Sequence, residues 1–307
     1  MMNLYWPVYK NLEKEVLDLS NHVHFDDNQL SIYSVKISEL LIRCCVEIEA
    51  ISKELYFREG GLQPENEKDL YFDTDCIKLL EDKWSLSKKK LIISAPNFYF
   101  QNEDNRVLTP LHKASKRGAS SSDWQKAYQG IKHNRTSNLS KGNIKNLLRA
   151  LGSLFILNVY FKDDVYGLKE NKETNFPINI GSDIFSIKLH LCSSAPFDDG
   201  FLSKKEDFNE CIYITKVTEK SIINNQKAMK KFDQNTRQNA GIDSARNKAE
   251  SAIKSANSIA HQKAIEELKQ KISEVQRNLS RVAIVELKNI IGQSEFEAIL
   301  NTKPHTI

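Results

Sequence analysis

The sequence predicts a mainly α chain: an N-terminal helical bundle, a small β-hairpin element, and long C-terminal helices of coiled-coil type. Three observations predict it. Apolar residues recur at three- and four-residue spacings through most of the first 161 positions. Two short segments, 184–192 and 211–217, alternate apolar and polar residues instead. From about 218 to 300 there is no proline, and Ala, Lys, Glu and Gln dominate. The expected divisions are a helical bundle at 1–162, a hairpin-containing connector at 163–217 and a helical region at 218–307.

Each element has its own signal. Val8, Leu12, Val16 and Leu19 mark a helix over 6–22, with Pro7 in the first turn. Polar turn formers at 21–29 break it. A helix over 34–56 follows, with Ile37, Leu40, Leu41, Cys44, Ile48, Ile51 and Leu55 as one apolar stripe. Arg43 and Glu47 on its other face form an i,i+4 pair. Gly60, Gly61 and Pro64 mark a loop, and Thr74 or Asp73 caps a third helix through Ile77, Leu80 and Trp84. The run LIIS at 91–94 stops at Pro96 and fits a strand or a helix. Residues 101–122 read mostly as loop, ending in GASSSD, where Ser122 or Asp123 caps the next helix. Trp124, Tyr128 and Ile131 share one face of that helix. KGN at 141–143 separates it from a very apolar helix at 144–161. The stretch ALGSLFILNVYF is too short to span a membrane and reads as a buried helix.

Residues 162–182 are polar, with Gly167, Pro177 and Gly181. The two alternating segments then read as a hairpin joined by APFDDGFLSKKED. In the C-terminal region, Ala245, Ala249, Ala252, Ala256 and Ile259 form one heptad-like seam. Leu268, Ile272, Val275, Leu279 and Val282 form another. Gly241 and Gly292 are the expected interruptions. Such seams pair within the chain, with another copy, or with a helical partner protein.

Charge is segregated. Residues 1–82 hold 8 Lys/Arg and 17 Asp/Glu, whereas residues 111–149 hold 9 Lys/Arg and one acid, Asp123. Either the acidic block faces the basic one inside the fold, or the basic block stays open for a polyanion such as RNA. The five cysteines are scattered without CxxC spacing, which speaks against a disulfide framework or a zinc site and fits a reducing, cytoplasmic setting. The N-terminus shows no secretory pattern, and no membrane association is expected. No Walker loop, GxGxxG, GxSxG or HExxH pattern occurs, so no cofactor or metal is expected.

The chemically richest stretch is WQKAYQGIKHNR, 124–135. On a helix His133 shares the face of Lys126, Gln129 and Gly130, and Arg135 continues the Trp124 row if the helix persists. Histidine suits acid–base work near neutral pH. Lys126, Lys132 and Arg135 can hold phosphate, the arginine through a planar fork and the lysines as point charges. Asn134 and Asn138 can hydrogen-bond a nucleic-acid backbone or base, and Lys116, Arg117 and Lys141 extend the basic surface. A solvated basic helix end is the plainer reading of the same residues. HVHFDD, with His22, His24, Asp26 and Asp27, is metal-capable but reads better as a polar turn. Lys88 to Lys90 beside Trp84 are a nucleic-acid contact or a solvated turn.

AYQGIKHNR, placed late in an α-bundle before a long apolar helix, resembles the HEPN superfamily, and within it families with a Tyr-Asn-x-x-Lys-His-x-Arg pattern. The resemblance covers roughly residues 5–161 and includes SVKISELLIRCCVEIEAISKEL, with Glu47 and Glu49. It implies a prokaryotic defence or toxin-type protein acting on RNA, with His133 as the motif histidine of a metal-independent endoribonuclease that works across a dimer. The family pattern places an arginine ahead of that histidine with four to six residues between them. This chain carries Lys126, Ala127 and Tyr128 in that window, so Lys126 is the basic stand-in and Arg135 a second candidate. The alternative expectation is a non-catalytic oligomerising scaffold or adaptor with a polyanion-binding basic surface.

Overall fold

The computed structural model describes residues 3–64, 69–170, 172, 174–203, 206–255 and 258–302. The chain is mainly helical. Helices α1 (Tyr5–Ser20), α2 (Val35–Arg58), α3 (Lys78–Trp84), α4 (Glu103–Arg106), α5 (Asp123–His133), α6 (Arg135–Asn138) and α7 (Ile144–Lys162) precede two long ones, α8 (Glu219–Ser255) and α9 (Ile259–Gly292). Short strands intervene: β1 (Phe25–Asp26), β2 (Leu91–Ile93), β3 (Phe98–Tyr99), β4 (Val107–Leu108), β5 (Tyr166–Lys169), β6 (Phe185–Ser186), β7 (Leu189–His190), β8 (Ser193–Ser194), β9 (Phe201–Ser203), β10 (Tyr213–Val217) and β11 (Phe296–Leu300).

The centre of the body is α7, packed against α1, α2 and α5. By length and composition alone α7 could cross a membrane, yet 83% of its apolar window is buried inside the protein. Its neighbours bring the stripes that periodicity predicts: Leu12 and Val16 from α1, Leu41 and Ile48 from α2, Tyr128 and Ile131 from α5. Ser34 caps α2 by accepting a hydrogen bond from the Ile37 amide at 3.2 Å. The third helix begins earlier than its expected cap, as a π-helical turn at Phe72–Ile77 that runs into α3. The ambiguous LIIS run is a strand, β2, between β4 and β6.

One continuous apolar core joins Leu154 with Leu168, Phe185 and Tyr213 and with Ala298 and Leu300. The expected boundaries at 162 and 217 therefore do not separate cores. A buried carboxylate helps to tie the parts together. Glu13 of α1 is fully buried and accepts hydrogen bonds from the Tyr9 hydroxyl at 2.7 Å, the Asp183 amide at 2.9 Å, the Ile184 amide at 3.1 Å and the Ser182 hydroxyl.

The expected hairpin of 184–192 with 211–217 does not form. Strands β7 and β10 pair in parallel, and the antiparallel neighbour of β10 is β11, a strand inside the segment expected to be helical to about 300. The order in that sheet is β5-β11-β10-β7. Tyr213 stands opposite Leu300 and Val217 opposite Phe296, so α8 and α9 form an arm inserted between two adjacent antiparallel strands. At 37 residues α8 runs about 55 Å. It passes through Gly241 without interruption, whereas Gly292 does end α9. Side-chain bridges align the two helices: Lys231 with Glu286 at 3.2 Å, Lys269 with Glu250 at 3.0 Å, and Gln276 with Asp243 at 2.9 Å. The side of α9 turned inward carries Ile272, Gln276, Ala283 and Leu287. Of the second expected seam, Leu268, Val275, Leu279 and Val282 face outward, each about half exposed; of the first, Ala245 and Ala252 are exposed.

Candidate functional site

Helix α5 is built to end at His133. Ser122 and Gln125 form a reciprocal capping box at its start. The Gln125 amide also donates to the Ala114 carbonyl at 2.9 Å, and the Trp124 indole donates to the Pro110 carbonyl at 2.9 Å. Trp124, Ala127, Tyr128 and Ile131 bury the inner face. At the other end Asn134 leaves helical geometry, with φ −149° and ψ 81°. Its side chain accepts a hydrogen bond from the Ser137 amide at 3.2 Å and so starts α6, while the Asn138 side chain donates to the Asn134 carbonyl at 2.9 Å. A Cβ at Gly130 would come within 3.0 Å of the Asn138 side chain, so glycine permits this close turn. Asn134 and Asn138 are thus engaged in making the break. Arg135 lies past it, exposed, and does not continue the row of Trp124, Tyr128 and Ile131.

His133 and Lys132 open onto a cleft of about 330 Å³ between α5, α2 and the segment before α3. Sequence-distant residues complete it: Glu49 and Lys53 from α2, Asp69 and Asp73, and Arg117. The Arg117 guanidinium lies 3.8 Å from the Tyr71 ring centre and 3.9 Å from the Asp73 carboxylate. The Lys132 ammonium stands 5.3 Å from the Tyr128 ring centre. Burial pushes the Tyr128 hydroxyl well above its ordinary pKa, and the Glu49 carboxylate beside it adds to that shift.

Lys126 is elsewhere. Two turns of helix set it about 10 Å along α5 from His133. Its ammonium pairs with Asp123 at 3.0 Å, a contact that holds the Asp123 carboxyl below its ordinary pKa. It lines a second cleft of about 170 Å³ with His112, Lys113 and Arg149, where Asp123 is the acid. Lys116, Arg135 and Lys141 are exposed outside both clefts and, among the described residues, form no ion pair. The structure therefore brings together His133, Lys132 and Arg117 of the expected set, separates Lys126 from them, and adds acids. The signal for those acids was present in the opposed charges of residues 1–82 and 111–149.

The other constellations resolve locally. His24 stacks on Tyr99 at 4.8 Å, the Asp26 carboxylate accepts from the Asn28 and Gln29 amides, and Asp27 accepts from the Gln101 and Asn102 amides. That is a polar turn tied to the β3 region. Of the lysine run, Lys89 is buried and donates to the Cys211 carbonyl at 3.0 Å, and Lys90 pairs with Glu210 at 2.7 Å. His190, Asp207 and Cys211 place donor atoms within 4.8 Å of one another. There the Asp207 carboxylate accepts from Lys188 and sits 2.8 Å from His190 Nδ1, and burial pushes the Cys211 thiol up to about 12. A protonated thiol beside an already paired carboxylate is a weak donor set for a metal.

Compared with known proteins, the chain matches no family model, no curated protein and no solved structure.

Proposed function

We propose that this chain is an RNA-associated cytoplasmic protein of HEPN type, belonging to a bacterial defence or toxin-type system, and that the His133 cleft is where it holds the RNA backbone. The observation that carries the reading is the entry of Arg117 into that cleft beside Lys132 and His133. The motif has no arginine at 126–128, and Arg117 supplies a guanidinium from a different part of the chain. A stacked guanidinium offers the bidentate fork that a lysine lacks. The second basic cleft at the other end of α5 extends the same surface, so one strand of RNA can lie along the helix.

In the catalytic form of this reading His133 takes the proton of a ribose 2′-hydroxyl as that oxygen attacks the adjacent phosphorus. The proton passes to the departing 5′-oxygen and a 2′,3′-cyclic phosphate remains. Arg117 and Lys132 offset the charge that builds on phosphorus, so this chemistry needs no metal. The test is cleavage of bulk RNA in EDTA by wild type and by His133→Ala. Activity in wild type and loss in the variant is expected; equal cleavage by both overturns the catalytic role.

A second reading, a non-catalytic scaffold that contacts a polyanion, has its own support. Glu49, Asp69 and Asp73 line the same cleft and reduce its pull on phosphate, and Lys126 lies away from His133. RNA binding that weakens steeply with salt, without cleavage, favours it.

A further inference from the structure

We infer that the outward row of α9 is a homodimer seam, in which the arm pairs antiparallel with the arm of a second copy. Leu268, Val275, Leu279 and Val282 are 52%, 51%, 48% and 57% exposed, on a helix whose inward side already rests on α8. At 3.6 residues per turn the centre of this row lies about 80° around α9 from the centre of the inward side. Two contact faces so separated are what a helix needs to touch one neighbour in its own hairpin and another in a second hairpin.

Two observations identify the occupant as another copy of this chain. The first is self-complementarity. An antiparallel pairing with its two-fold between Ser273 and Glu274 sets Leu268 against the partner's Leu279 and brings Val275 within one turn of the partner's Val275. The exposed row so paired meets apolar residues of its own kind. The second is charge. Lys269 and Glu286 are held within the arm by Glu250 and Lys231. Of the remaining charges on α9, residues 259–275 carry Lys263, Lys271, Glu266, Glu267 and Glu274, a net of −1. Residues 276–292 carry Arg277, Arg281 and Lys288, a net of +3. Antiparallel pairing lays the acidic half on the basic half. Parallel pairing lays each half on its like.

The seam stands apart from the RNA reading, and the two are measured separately. Light scattering on the full chain is expected to give a dimer, and Val275→Glu with Leu279→Glu is expected to give a monomer of unchanged helix content by circular dichroism. If the glutamates lower the helix content, Leu279→Gln keeps a good helix former at the site, and a dissociation constant raised tenfold or more is expected. The native cysteines are buried, so an introduced surface thiol reports alone. Leu268→Cys mixed with Leu279→Cys is expected to form a mixed disulfide. Leu268→Cys alone is not, because the two thiols would be eleven residues apart along the axis, about 17 Å. A monomeric wild type at its highest soluble concentration, a dimer that survives the substitutions, or efficient cross-linking of Leu268→Cys to itself each overturns the proposal. RNA binding by the monomeric variant is read in the same preparation, so loss of the dimer and loss of RNA binding remain distinct results.

Discussion

The guanidinium of Arg117 sits over the Tyr71 ring, 3.8 Å from its centre, at the edge of the cleft that holds His133. Stacking restricts the side chain while leaving its N–H edge available to an anion. Arg117→Ala is expected to weaken RNA binding and to lower the slope of log affinity against log salt by roughly 0.7, the share of one phosphate contact on a single strand. Arg117→Lys should keep that slope but not the affinity. Fluorescence anisotropy over a salt series measures both, and an unchanged slope in Arg117→Ala would remove this residue from the RNA surface.

Glu13 makes a separable prediction about the body. Its carboxylate is the shared acceptor for Tyr9, Ser182 and two backbone amides at the approach to β6. Glu13→Ala leaves the Asp183 amide without its acceptor, takes the carboxylate from Lys10 and reduces Tyr9, Ser182 and Ile184 to the bonds they make with one another, and is expected to destabilise the fold by about 3–5 kcal/mol. Urea unfolding followed by circular dichroism measures it. A loss below about 1 kcal/mol would mean that the donors find other acceptors.

Lys89 gives a pH dependence. Burial pushes its ammonium down to about 7. In the unfolded chain a lysine stays protonated to about 10.4, so above about pH 7 the unfolded state binds more protons than the folded one. This residue therefore makes the fold more stable as pH rises through its folded value, and below that value the penalty of a buried charge is fully present. Lys89→Met removes the penalty. The variant should gain most over wild type at pH 6 and least near pH 9, read from denaturation midpoints; a difference independent of pH would rule this out.

The thiols act in the opposite direction. Burial pushes Cys44, Cys76 and Cys211 each up to about 12. Unfolded thiols ionise near 8.5, so above that pH the unfolded state releases protons that the folded state keeps, and stability falls. Native protein at pH 8.5 is expected to resist alkylation by iodoacetamide while urea-unfolded protein reacts at five sites per chain, counted by mass spectrometry. Rapid modification of the native thiols would contradict their burial.

What could be read from sequence follows from how local each signal is. Helices α2, α5 and α7 declare themselves through period, and α5 also through its cap, because Ser122 acts within three residues of the bond it makes, while the caps Ser34 and Asn143 emerge in the structure. Strand β11 does not. FEAIL is short, follows a long proline-free helical run, and is extended because β5 and β10 accept it on both sides. The parallel pairing of β7 with β10 is likewise a property of the sheet, since alternation marks a strand but not its neighbour. At the site, Lys132 and His133 stand out locally, whereas the approach of Glu49, Asp73 and Arg117 is set by the packing of α2 and α5 against α7. Opposed net charge foreshadowed that approach without naming the residues.

The insertion of α8 and α9 between β10 and β11 makes the arm a ruler. The sheet asks only that Val217 and Phe296 meet, and the entropy of closing the connection between them changes by only about 0.6 kcal/mol for each doubling of its length. Adding one heptad to each helix lengthens the arm by about 10.5 Å and keeps the inward side on its neighbour. The reach of whatever the arm carries can thus be reset in steps while the body, with its cleft, is left unaltered.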